Sequence, residues 1–68
     1  MSNVHTSGSY DMAGELFEYV VYEDGTAEYT VTDSITGEAL ASRRLRAGWG
    51  VDNAQAWVRG TVIMRYLC

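Results

Sequence analysis

The sequence predicts an α+β fold, a three-stranded antiparallel β-meander packed against one C-terminal α-helix, and three observations carry that expectation. Between Leu16 and Leu45, short runs rich in β-branched and aromatic residues alternate with turn signals, first Asp24-Gly25 and then the stretch from Asp33 to Glu38. From Val51 onward the apolar residues recur at helical rather than strand spacing. The chain has 68 residues, 47% hydrophobic and 21% charged, which suits one small packed domain rather than a disordered tail. A chain of this length buries only about 60% of the surface its unfolded form exposes, so support from a second copy or a partner is expected.

Residues 1 to 14, rich in Ser, Gly and Asn, read as a flexible leader, and residues 15 to 68 as a single β-β-β-α domain. The first strand, Leu16 to Tyr22, ends at Glu23-Asp24-Gly25-Thr26, and the second, Ala27 to Thr32, alternates apolar with polar residues. With Asp24-Gly25 as a two-residue loop, Val20 opposes Tyr29 and Glu18 opposes Val31. That register places Leu16, Val20, Tyr22, Ala27, Tyr29 and Val31 on one face, and Phe17, Tyr19 and Val21 on the other beside Glu28, Thr30 and Thr32. A bulged three-residue loop pairs the faces differently, and both loops fit the residues present. Gly37 is placed for a left-handed turn residue, after which Ala39 to Leu45 return as a third strand whose arginines discourage edge-to-edge association. Gly48-Trp49-Gly50 breaks the strand pattern, and Trp49 is expected to plug one end of the core.

Asp52 is the expected N-cap of a helix over residues 53 to 67. At about 100° per residue, Val51, Ala54, Trp57, Val58, Thr61, Val62 and Met64 form a stripe that should pack on the sheet. Ala56, Gly60, Ile63 and Leu67 form a second, opposite ridge, apolar where a monomer exposes it. Gly60 costs about 1 kcal/mol relative to Ala inside a helix, while the pair Ala56 and Gly60 allows another backbone to approach closely. These four residues are the candidate interface of a homodimer, with the second face of the first strand as the other surface able to make one.

Charge is segregated along the chain. The first 38 residues hold eight acids (Asp11, Glu15, Glu18, Glu23, Asp24, Glu28, Asp33, Glu38) and no Lys or Arg, whereas the remainder holds five arginines and one acid, Asp52. Blocks of this kind pair within a fold or between copies, or steer a charged partner. The sole histidine, His5, and the sole cysteine, Cys68, stand at opposite ends, so no nucleophile and base pair, no paired-cysteine zinc pattern and no internal disulfide is indicated. Gly-rich phosphate loops and calcium-loop spacings are also absent. The acids of the hairpin are expected to be solvated side chains with no catalytic pocket around them. The chain is therefore expected to be neither an enzyme nor a metal or cofactor binder, and free of small-molecule substrates. Cysteine usage, with no basic start and no apolar run for a signal peptide or membrane span, points to the cytoplasm.

Arg43, Arg44 and Arg46 are candidate phosphate contacts, with Tyr19, Tyr22, Tyr29 and Trp49 as stacking platforms. The order of three strands and a helix beginning Val51-Asp52-Asn53-Ala54-Gln55-Ala56-Trp57 resembles the arm-type modules of phage integrases across residues 16 to 67. That resemblance implies a helix covering one sheet face and strands that enter the major groove of DNA. In those modules the groove-facing strands are basic, whereas the first hairpin here is acidic and would be repelled by phosphates.

The leading expectation is a non-enzymatic protein-binding accessory or inhibitory factor of a phage or other mobile element, acting as a homodimer. Its acidic aromatic hairpin, with Glu18, Tyr19, Tyr22, Glu23, Asp24 and Glu28 as contact residues, would engage a basic protein. All basic residues being arginine, with no lysine or proline, fits a GC-rich source. The alternatives are a DNA-binding arm-type module using the arginine block, and a structural subunit of a larger assembly.

Overall fold

In the computed structural model, which describes residues 3–46 and 49–67, the order of elements is β1 (Val4–Met12), β2 (Glu15–Tyr22), β3 (Ala27–Asp33), β4 (Ala39–Leu45) and α1 (Val51–Val62), with a π-helical turn over Ile63–Leu67. Cys68 and Gly48, both used in the sequence reading, lie outside the described residues. The sheet is a four-stranded antiparallel meander in the order β1-β2-β3-β4, so the expected three-stranded sheet is corrected to four. The additional strand, β1, lies within residues 1 to 14, where the composition predicts a flexible leader. Its Ser-Gly-Ser centre has little strand propensity, yet Thr6, Gly8, Tyr10 and Met12 alternate with Ser7, Ser9 and Asp11, and pairing from Thr6↔Val21 to Met12↔Glu15 is unbroken.

Ala13-Gly14 make the two-residue turn between β1 and β2, with φ of 55° and 74°, the positive pair that a type I′ hairpin turn requires. The turn between β2 and β3 has three residues. The Gly25 amide donates to the Tyr22 carbonyl at 3.0 Å, the Tyr22 amide donates to the Thr26 carbonyl at 2.8 Å, and Gly25 has φ 86°. This bulged loop, the second of the two expected, shifts the pairing by one residue, so Val20 opposes Glu28 and Phe17 opposes Val31. The two-residue register is thereby corrected. The physical gain is that Phe17, Tyr19 and Val21 join Ala27, Tyr29 and Val31 on one face, instead of dividing the apolar residues between two.

That face carries α1. Ala54, Val58 and Val62 are buried against Phe17, Val21, Ala27, Tyr29 and Val31. Phe17 and Tyr29 stack at 4.8 Å between centroids, and Trp57 tilts over Tyr29 at 5.4 Å. The N-cap is Gly50, φ 96°, and not Asp52, which sits inside the first turn where a carboxylate faces the positive end of the helix dipole. The Asn53 side-chain amide donates to the Trp49 carbonyl at 2.7 Å, while the Trp49 ring is 59% exposed and plugs nothing. Met64, expected in the buried stripe, is 77% exposed. Successive i+4 positions drift by about 40° around an α-helix, and the wider π-turn returns Tyr66 to the sheet, edge-on to Phe17 at 6.3 Å. Tyr66 thus occupies the place that helical periodicity reserved for Met64.

Candidate functional site

Because α1 covers only one face, the opposite face of the sheet is open among the described residues, and the alternation of the strands decides what it presents. Its rows run across the four strands: Ser9, Glu18, Thr30 and Ser42 in one, and Ser7, Val20, Glu28 and Arg44 in the next. Val4 faces Tyr22 at one end, and Asp11, Leu16 and Thr32 stand together at the other. Leu16, Val20 and Tyr22 are half-buried there with no covering element among the described residues, while Glu18 and Thr30 are exposed. The short side chains of Ser7 and Ser9 leave a shallow open trough of about 490 Å³, walled by Glu18 and Glu28 and floored by Val20 and Thr30.

Of the six residues assigned to partner binding, Glu18, Tyr22 and Glu28 share this face. The Tyr22 hydroxyl donates to Glu28 Oε1 at 2.7 Å, and Arg44 donates from Nε and Nη2 to Glu28 Oε2 at 3.2 and 3.0 Å. The Tyr22 hydroxyl and then Arg44 hold the Glu28 carboxyl below the usual range, and the same hydrogen bond to Glu28 pushes the Tyr22 phenol up. Glu23 and Asp24 occupy the exposed turn, where Asp24 Oδ1 accepts from the Thr26 amide at 2.9 Å and from its hydroxyl. Tyr19 is not part of the group: it faces the helix side, stacked on Tyr10 at 5.9 Å, and burial raises its pKa. Sequence reasoning missed Ser7 and Ser9, for which the period-two pattern around Tyr10-Asp11-Met12 was the available signal.

The arginine block is split between the two sheet faces, although Arg43, Arg44 and Arg46 all border one shallow pocket beside Glu28 and Ser42. Arg43 pairs with Tyr29 on the helix side and Arg44 with Glu28 on the open side, because neighbours on a strand point to opposite faces. Arg46 is exposed beyond the end of β4. In the ridge, Ala56, Ile63 and Leu67 are exposed and Gly60 is half-buried, with Ile63 and Leu67 now in the π-turn. The turn is strapped to the sheet: Arg65 Nε and the Tyr66 hydroxyl both donate to Glu15 Oε1 at 3.0 Å, which lowers the Glu15 pKa.

Among the described residues, no group of three His, Cys, Asp or Glu stands close enough to hold a metal ion, and no helix is long and apolar enough to cross a membrane. Compared with protein-family models, with curated proteins and with solved structures, the chain has no match.

Proposed function

We propose that this chain is a non-enzymatic protein-binding module that presents its open sheet face to a basic segment of another protein and acts as a homodimer. The observation that carries the reading is the trough walled by Glu18 and Glu28 and set among the half-buried Leu16, Val20 and Tyr22. Apolar side chains left uncovered beside carboxylates suit a partner that brings an aliphatic stem ending in a cation, as arginine and lysine do. Glu18 is the freer contact, since Glu28 already accepts from Tyr22 and Arg44. Such a module would serve as an accessory or inhibitory factor, occupying a basic surface that another ligand would otherwise use.

The DNA-binding alternative finds less support, since Arg43 and Arg44 point to opposite faces and Arg44 is engaged by Glu28. An amide-resolved NMR titration with a short arginine-rich peptide tests the reading. Shifts confined to Ser7, Ser9, Glu18, Val20 and Thr30, and lost in Glu18→Lys, are the expected result. Shifts centred on Arg43, Arg44 and Arg46 with duplex DNA, and none with the peptide, would overturn it.

A further inference from the structure

The two edges of the sheet differ in how they are finished. On β4, Arg43 and Arg44 project from the strand and the register slips between Val31 and Thr32, so that Leu40 is an extra residue. Charge and a bulge are the usual guards against edge-to-edge pairing. On β1 the only slip lies at His5, between Val4 and Thr6, and from Thr6 to Met12 the strand is regular, without lysine, arginine or proline.

Which backbone groups of β1 face outward follows from two backbone hydrogen bonds and the alternation of an antiparallel ladder. The Tyr22 amide donates to Thr26, toward β3, and the Glu23 amide donates to Asn3, toward β1. Counting back by two along β2, Val21, Tyr19 and Phe17 bond toward β1, so their partners Thr6, Gly8 and Tyr10 bond inward. The amides and carbonyls of Ser7, Ser9 and Asp11 therefore point away from the sheet.

We propose that this edge pairs with the same edge of a second copy, antiparallel about a two-fold axis at Gly8, joining two four-stranded sheets into one of eight strands. In this register Ser7 faces Ser9 of the second copy, and each such pair exchanges two backbone hydrogen bonds. His5, at the bulge that ends the regular stretch, comes level with Asp11 of the second copy at both ends, an imidazole near a carboxylate. Displacing the register by two residues in either direction loses that match: Asp11 then faces Ser7, or His5 faces Ser9. Gly8 meets Gly8 at a non-hydrogen-bonded position, where Cα atoms approach to about 4.5 Å and a side chain is least welcome. Tyr10, 42% exposed beside this edge, is covered by the second copy. On the helix side α1 packs mainly over β2 and β3, one strand in from this edge. The inference rests on the homodimeric reading above and moves the interface from the ridge of Ala56, Gly60, Ile63 and Leu67 to β1.

Sedimentation velocity on the full chain and its variants tests it. The Ser9 amide faces outward, so Ser9→Pro removes a donor from the edge and none from the ladder within the chain. Ser7→Lys guards the edge by charge and leaves the backbone alone. The expected result is a dimer of twice 7.5 kDa for the parent chain, lost in both edge variants with unchanged circular dichroism and retained in Ile63→Asp. Asp11→Lys should also lose the dimer, and adding His5→Asp should restore it. A dimer that survives both edge variants and is lost in Ile63→Asp would overturn the edge while leaving the homodimer standing. A parent chain that stays monomeric at high micromolar concentration would overturn both.

Discussion

A Cβ on Gly25 would lie 2.6 Å from the amide nitrogen of Gly50, so the β2–β3 turn and the start of α1 touch backbone to backbone. Gly25 is constrained twice, by that contact and by φ 86°. Gly25→Ala must strain a left-handed conformation and push the helix away from the sheet. It should destabilise the fold by about 2–4 kcal/mol, read as a fall in the urea midpoint, with the loss concentrated in α1 amides by hydrogen exchange.

Ala13 holds φ 55° at the first position of the type I′ turn, a conformation that Asn adopts more readily. Ala13→Asn should therefore stabilise the protein by about 0.5–1 kcal/mol. A thermal melt that moves upward supports the turn and β1 together, and an unchanged melt would argue against the strain.

Trp49 and Phe17 offer a contrast between two large aromatics. Phe17 is fully buried among Tyr29, Tyr66 and α1, whereas Trp49 is mostly in solvent. Phe17→Ala should cost about 3–5 kcal/mol, and Trp49→Ala less than about 0.5 kcal/mol. Denaturation of the two variants side by side checks this, and the Trp49 result decides whether that ring belongs to the core.

Acid should weaken the fold in a defined direction. The Glu15 carboxyl is held low by Arg65 and then the Tyr66 hydroxyl, Glu28 by the Tyr22 hydroxyl and then Arg44, and Asp33 by the amides of Thr36 and Ile35. The unfolded chain takes up these protons first as pH falls. The stability they contribute is therefore full above the ordinary carboxylate range, about pH 4, and is lost as pH drops through the lowered folded values. Urea midpoints measured from neutral pH downward should decline in that window. Glu15→Gln should start lower and decline less.

Much of the architecture was legible locally. Asp24-Gly25 and the left-handed Gly37, φ 78°, marked their turns, and the strand read at residues 39–45 is β4 as observed. The buried stripe was legible through Ala54, Val58 and Val62 because an i+4 period needs no tertiary information. β1 was not, since Ser7-Gly8-Ser9 has little intrinsic preference for a strand and Ala13 is a poor signal for a type I′ turn. In three dimensions the Gly8 position is filled by its cross-strand neighbour, the Tyr19 hydroxyl lying 2.7 Å from where a Cβ would stand. Of the residues proposed for partner binding, Glu18, Tyr22 and Glu28 share the open face, whereas Tyr19 lies on the helix side, a division that only the register fixes.

Local chemistry was thus sufficient for the element types, the turns and the segregation of charge. Tertiary structure decided the faces. One added residue in the β2–β3 loop gathered Phe17, Val21, Tyr29 and Val31 under α1, because a one-residue slip exchanges every side chain between core and solvent. The same slip placed Glu28 beside Glu18 and Val20 on the open face, while plain strand alternation set Arg43 and Arg44 on opposite sides. Burying the larger apolar set was the physical reason, and the candidate site is what that choice left uncovered.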